Sequence, residues 1–207
     1  MKTKVTIEKL EELMHNQEYN ETVDKIISSL QKDPIGPFVP GKSQRWNESE
    51  ETDGYRKHLC NLIYPLIEES VYGCSIETID VKFLRHLKSG NESKDGAFLW
   101  HADNHPPEVL NIIIYLTDVT EDGGGMEYCE LNGDVLVRPY TNPPGNHDLE
   151  LNVRDLQENP NFKIKKMTGS KGTVFLFDNC IFHRATDPID KDRDALLLQV
   201  KPNEFNF

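Results

Sequence analysis

The sequence predicts a mainly β fold with flanking helices, in which antiparallel strands form a sandwich or jelly roll, and three observations carry that expectation. Helical spacing of apolar residues is confined to the N-terminal third, in residues 6–32 and again from about 54 to 71. From Ile76 onward the pattern changes to alternation and to short runs rich in β-branched residues, of which residues 109–119 are the strongest. The residues with metal-binding chemistry then come from segments far apart in the chain, as strands meeting across a sandwich allow. A chain of 207 residues without an internal repeat fits a single domain over 1–207. Residues 1–75 are expected to be mostly helical and to pack on the sheet, and 76–201 to form the β core.

Taken in order, Ile7, Leu10, Leu13 and Met14, then Val23, Ile26, Ile27 and Leu30, predict two helical runs with a break between Asn16 and Asn20. Pro34, Pro37 and Pro40 exclude regular structure over 33–41 and predict a loop near the mouth of a site. Residues 54–71 predict a helix with Leu59, Leu62, Ile63, Leu66 and Ile67 on one face, which Pro65 is expected to kink or to start late. Residues 76–86 read as a strand, 88–96 as a polar turn and 97–100 as a second strand. Within 109–119, Asn111, Ile113 and Tyr115 share one face, and Leu110, Ile112, Ile114 and Leu116 share the other. Gly123, Gly124 and Gly125 mark a turn before short strands near 126–130 and 135–137. Residues 138–168 predict a loop insertion with a helical turn over 149–156 and a strand over 162–167. Long loops in compact domains commonly act as lids or binding loops, so substrate contacts are expected there and around 34–41. Strands over 171–177, 181–184 and 195–201 complete the sheets.

Composition narrows the function classes. With 37% apolar and 28% charged residues the chain reads as soluble and globular. A net charge of −12 opposes the broad basic footprint that nucleic acid demands, and Lys163, Lys165, Lys166 and Lys171 read as a solvated strand. No apolar run is long enough to span a bilayer, and the N-terminus lacks the apolar core of a secretory signal, so a cytoplasmic location without a membrane partner is expected. Cys60, Cys74, Cys129 and Cys180 form no C-x-x-C pair and read as reduced, buried side chains. The expected partner is a small-molecule substrate, and the sequence assigns no oligomeric state.

The chemistry centres on His101 and Asp103, an imidazole and a carboxylate two residues apart, which a strand would place on one face. Adding the distant His183 completes a 2-His-1-carboxylate facial triad, whose open positions suit non-haem Fe(II) and O2. Ten residues after His183, Arg193 opens an apolar run, where a fixed guanidinium can grip a carboxylate with two hydrogen bonds. The residues alone leave other readings open: a surface His-x-Asp beside a core histidine, zinc in the same ligands, or Arg193 paired with Asp192 or Asp194. His105 reads as a turn or substrate-side residue, because a fourth protein ligand would close a position that O2 needs. Arg184, adjacent to His183, is expected to point away from the metal face.

In their order and spacing, Trp100 to Asp103, Asn111 to Val119, the Gly123 to Gly125 turn, Gly172 to Asp178, His183 and Arg193 resemble the phytanoyl-CoA dioxygenase-like branch of the Fe(II)/2-oxoglutarate-dependent oxygenases, over residues 76–201. The resemblance implies a double-stranded β-helix core, jelly-roll and cupin-like. It also implies a dioxygenase that uses Fe(II), 2-oxoglutarate and O2 to hydroxylate a small-molecule C–H bond, with release of succinate and CO2. On that resemblance His101, Asp103 and His183 hold the iron at the catalytic centre, and Arg193 pairs with the distal carboxylate of 2-oxoglutarate. Asn111 and Tyr115 line the co-substrate pocket, where either side chain is a candidate to bond a carboxylate. Related halogenases carry a small residue at the position of Asp103, so an intact carboxylate favours hydroxylation. One departure stands out: relatives often carry a hydroxyl two residues after the distal histidine, where this chain has Ala185, with Thr186 as a candidate substitute. A cupin-like metal-dependent hydrolase or isomerase, and a catalytically silent binding module, are the alternative functions for the same residues.

Overall fold

The structure is a computed structural model that describes residues 8–37, 43–88, 96–103, 105–106, 108–138 and 149–203. Most of the polar turn expected over 88–96, residues 38–42 of the proline-rich loop and residues 139–148 of the insertion, with His147, lie outside the described residues. Strand β1 (Glu8–Lys9) falls where helical spacing is read, because two residues carry no period of their own. Helices α1 (Glu11–Met14) and α2 (Gln17–Leu30) follow, and the break between them lies at Asn16, whose side chain accepts the Tyr19 N–H at 2.9 Å as an N-cap.

After β2 (Gln44–Arg45), helix α3 (Glu50–Ile67) begins four residues ahead of Gly54. Ser49 caps it by accepting from the Thr52 N–H, and the acidic residues Glu50, Glu51 and Asp53 complement the positive end of the helix dipole. Pro65 neither shifts that start nor ends the helix; a wider π-turn (Glu68–Tyr72) follows it directly and closes on Gly73 at φ 70°.

The strands are β3 (Ile76–His86), β4 (Leu110–Tyr115), β5 (Glu127–Leu131), β6 (Asp134–Val135), β7 (Phe162–Lys166), β8 (Val174–Asp178), β9 (His183–Arg184) and β10 (Arg193–Pro202), with helix α4 (Leu149–Leu156) before β7. A six-stranded sheet runs β1-β8-β4-β10-β3-β2, and a four-stranded sheet joins β6, β5 and β7, with β9 also pairing β5. All named pairings are antiparallel. Residues 97–100 are not a strand. Gly96–Phe98 form a 3-10 turn, and Phe98 and Trp100 are buried by packing rather than by strand pairing.

Strand β10 lies between β3 and β4, and its alternation separates the molecule into two sides. Leu196, Leu198 and Val200 join Ile112 and Ile114 beneath Val23 and Ile26 of α2 and Leu59 and Ile63 of α3. Each such side chain contributes roughly 1.5–3 kcal/mol on burial. The opposite face carries Arg193, Ala195, Leu197 and Gln199, which line a cavity together with Asn111, Ile113 and Tyr115 of β4. The apolar floor on that side joins Tyr115, Phe175 and Phe177 to Met126, Met167 and Ile181. Close backbone packing at the glycine turn holds this side together: a Cβ on Gly124 (φ 73°) would lie 2.5 Å from the Pro188 nitrogen, and one on Gly125 would lie 2.2 Å from the Met167 carbonyl oxygen. Among the described residues no helix is long and apolar enough to cross a membrane.

Candidate active site

The segment that leads from the end of β8 into β9, and so from one sheet to the other, fixes the three candidate ligands. His101 and His183 exchange backbone hydrogen bonds, 3.0 Å from the His101 N–H and 2.9 Å from the His183 N–H, and the Asp103 N–H donates to the Asn179 carbonyl at 2.8 Å. Asn179 in turn donates its side-chain amide to the Pro106 carbonyl at 2.7 Å, so the turn after Asp103 is tied to the same segment. A one-residue bridge, not a regular strand, therefore presents the His-x-Asp pair.

The ring nitrogens are assigned by their partners. His101 Nδ1 lies 2.8 Å from the Leu99 carbonyl and His183 Nδ1 3.0 Å from the Ile181 carbonyl. A carbonyl only accepts, so both Nδ1 atoms carry the proton and both Nε2 atoms keep a lone pair. The two Nε2 atoms lie 3.8 and 3.9 Å from Asp103 Oδ1. Two ligands held about 2.1 Å from one ion can be separated by up to about 4 Å, so the set fits a single metal. Burial, helped by the neighbouring His183 ring, pushes His101 down to about 4, which keeps it neutral and able to coordinate. Among the described residues this is the group that offers three ligand atoms within 4.8 Å.

A polar relay aims the carboxylate. Gln199 donates to Asn111 Oδ1 at 2.9 Å, and Asn111 donates to Asp103 Oδ2 at 2.6 Å, leaving Oδ1 toward the histidines. Asn111 thus touches the candidate carboxylate ligand directly. Replacing it with leucine is expected to weaken metal binding by about 10–100-fold, the usual cost of losing such a supporting partner. Competitive titration with a metal-sensing dye would check this, and unchanged affinity would remove Asn111 from the site.

The ligand atoms open onto a cavity of about 430 Å³ whose lining includes Arg193. Arg193 is 5% exposed, and its Nε has no hydrogen-bond partner. The acids that flank it in sequence are engaged elsewhere: Asp194 accepts two hydrogen bonds from Arg85 at 2.7 and 2.6 Å, and Asp192 accepts from the Lys88 N–H at 2.8 Å. Burial lowers the pKa of Arg193, more than Tyr115 and Asp187 raise it. A buried guanidinium with an unmet N–H matches an acceptor-only group, such as a ligand carboxylate.

The remaining expectations divide between those the geometry meets and those it does not. Tyr115 lines the cavity, but its hydroxyl donates to the Met167 carbonyl at 2.7 Å and its proton is already committed. Thr186 cannot stand in for the missing hydroxyl at Ala185, because its own hydroxyl is buried against the Gly125 carbonyl at 2.6 Å. Arg184 turns away to Glu127 at 2.7 Å and stacks over Trp100. His105 does reach the cavity lining. Sequence reasoning passed over His86, Ser43 and Gln199, all of which line the cavity; alternation along β3 and β10 is the signal that places His86 and Gln199 there.

No family model matches the chain. It is 28% identical over 120 residues to the L-proline trans-4-hydroxylase of Streptomyces griseoviridis, and the match takes in 51% of this chain and 45% of that protein. The chain thus spans about half the length of this curated relative. Among solved structures it is similar to the non-haem alpha-ketoglutarate-dependent carbocyclase SnoK from nogalamycin biosynthesis, with a TM-score of 0.64, 15% identity and coverage of 95% of this chain and 80% of that one. The chain shares its fold with that protein. The related epimerase SnoN gives a TM-score of 0.63 at 14% identity over 92% of this chain and 76% of its own. HygX from Streptomyces hygroscopicus, solved with nickel, 2-oxoglutarate and hygromycin B bound, gives 0.56 at 16% identity over 89% of this chain and 80% of its own.

Proposed function

We propose that this chain is an Fe(II)- and 2-oxoglutarate-dependent dioxygenase that hydroxylates a C–H bond of a small molecule, on a double-stranded β-helix core. The observation that carries the reading is one cavity with a three-ligand metal set in its wall and, elsewhere in its lining, a buried arginine with an unmet N–H. His101, Asp103 and His183 would hold the metal. The chain supplies no fourth carboxylate or thiolate to the set among the described residues, which leaves positions for a chelating keto acid and O2. Arg193 would hold the distal carboxylate of 2-oxoglutarate, a role with no counterpart in a hydrolase. With both bound, the metal and keto acid supply the oxidising chemistry, and the protein positions the target carbon and keeps the site dry.

The activity of the proline hydroxylase and the ligands of HygX support a small polar substrate. Arg45, exposed on the cavity lining, favours one that carries a carboxylate, so free amino acids and small carboxylic acids head the screen. The phytanoyl-CoA dioxygenase-like motif order supports that branch of the oxygenases, and the absence of a membrane-crossing helix among the described residues accords with a cytoplasmic site of action. The deciding assay is succinate formation from 2-oxoglutarate with Fe(II), ascorbate and O2 in the presence of these candidates. Substrate-stimulated succinate with an added oxygen atom in the product supports the proposal. Iron-loaded protein that binds no 2-oxoglutarate rejects it.

A further inference from the structure

We propose that His86 is a second co-substrate residue: its Nδ1–H donates to the distal carboxylate of 2-oxoglutarate beside Arg193, in the role left open by Ala185. This inference rests on the oxygenase reading and adds a residue to it.

Register comes first. His86 at the end of β3 sits directly opposite Arg193 at the start of β10, and both side chains line the cavity. Directly opposed residues on one sheet face bring their Cβ atoms to about 4.5–5.5 Å, close enough for both side chains to reach one carboxylate. Each residue is 5% exposed.

Hydrogen bonding comes second. The Nε2 of His86 lies 2.7 Å from Ser43 Oγ, while Nδ1 is buried with no partner. A histidine serving only to fill a core is expected to satisfy both nitrogens. The serine hydroxyl can donate to Nε2 or accept from it; in the first arrangement, the one proposed, the proton sits on Nδ1. The ring is held in place by edge contact with Phe98, with centroids 5.6 Å apart.

Chemical class comes third. Burial and the nearby Arg193 charge hold His86 well below its ordinary range, so it is neutral and no counter-ion to the arginine. The Nδ1–H of His86 and the Nε–H of Arg193 are then two buried donors on facing residues, neither with an acceptor. Of the polar residues on β4, Asn111 donates an amide N–H to Asp103 and Tyr115 commits its one hydroxyl proton to the Met167 carbonyl. The match is a ligand that only accepts, bears negative charge and reaches into the cavity. The far carboxylate of a keto diacid meets those terms.

The test compares two keto acids on protein loaded with Zn(II), which binds without turnover. Titration calorimetry of wild type and His86→Leu with 2-oxoglutarate and with 2-oxobutyrate, which lacks the distal carboxylate, separates a contact to that group from general damage. The expected result is about a tenfold loss of 2-oxoglutarate affinity in His86→Leu, as for one hydrogen bond to a charged group, and unchanged 2-oxobutyrate binding. Equal losses for both acids, or none for either, overturn the role of His86. Wild-type protein that holds Zn(II) and binds neither acid overturns the oxygenase reading itself. Should the variant not fold, nuclear magnetic resonance of the wild type decides: the His86 Nδ1–H signal is expected to move with 2-oxoglutarate and not with 2-oxobutyrate, and an unmoved signal overturns the proposal.

Discussion

Replacing His101 with alanine is expected to lower Fe(II) affinity, and with it succinate formation, by at least about a hundred-fold, the upper end of what loss of a mere supporting partner costs a metal site. The geometry gives the reason. Three ligand atoms lie within 4.8 Å of one another, and removing one leaves two, with no further His, Cys, Asp or Glu among the described residues in the cluster to replace it. His105 shares the cavity lining but not that cluster. The fold should tolerate the change, because His101 is tied to His183 by backbone hydrogen bonds that alanine keeps. Thermal unfolding of the metal-free variant is therefore expected near that of metal-free wild type, while metal analysis after dialysis shows the loss. Retained stoichiometric iron in the variant would place the metal elsewhere.

That His101, Asp103 and His183 come together, and that Arg193 lines the same cavity, was legible from the ordered set of segments rather than from any one motif, since a lone His-x-Asp has many other uses. The face assignment on β4 was legible too, since strict alternation over Leu110–Tyr115 leaves one polar face and one apolar face. What failed to show was tertiary. The run Phe98, Leu99 and Trp100 has the composition of a strand, yet Leu99 is 40% exposed and the backbone turns. Composition does not encode whether a partner strand is present. Thr186 was a fair substitute for the hydroxyl missing at 185 by position alone, but its proton goes to Gly125, a contact created only when the glycine turn packs against residues 186–188. His86 stood in no motif. Its place in the cavity follows from the register of β3 against β10, and register is set by long-range pairing of segments over a hundred residues apart.

Replacing Arg193 with leucine is expected to raise the KM for 2-oxoglutarate by about a hundred-fold or more, because truncating one member of a buried, hydrogen-bonded charge pair typically costs 2–5 kcal/mol. At saturating co-substrate, kcat should fall far less than in the His101 variant, since Arg193 is outside the ligand cluster and its proposed role is at the far carboxylate. Lysine should restore only some of the loss: it keeps the charge but not the planar fork that meets two carboxylate oxygens together. Stability is expected to move the other way. Without co-substrate, Arg193 is a desolvated cation whose Nε has no acceptor, and both acids beside it in sequence are bonded to other groups. Leucine, though shorter, removes that desolvation cost, so the ligand-free Arg193→Leu protein should unfold at the same temperature as wild type or higher. Steady-state kinetics over 2-oxoglutarate concentration and thermal unfolding without it together make the check. A lowered unfolding temperature with unchanged KM would mean that Arg193 braces the fold and that the carboxylate binds elsewhere; a raised KM at undiminished stability is the signature of an arginine held in place for its ligand.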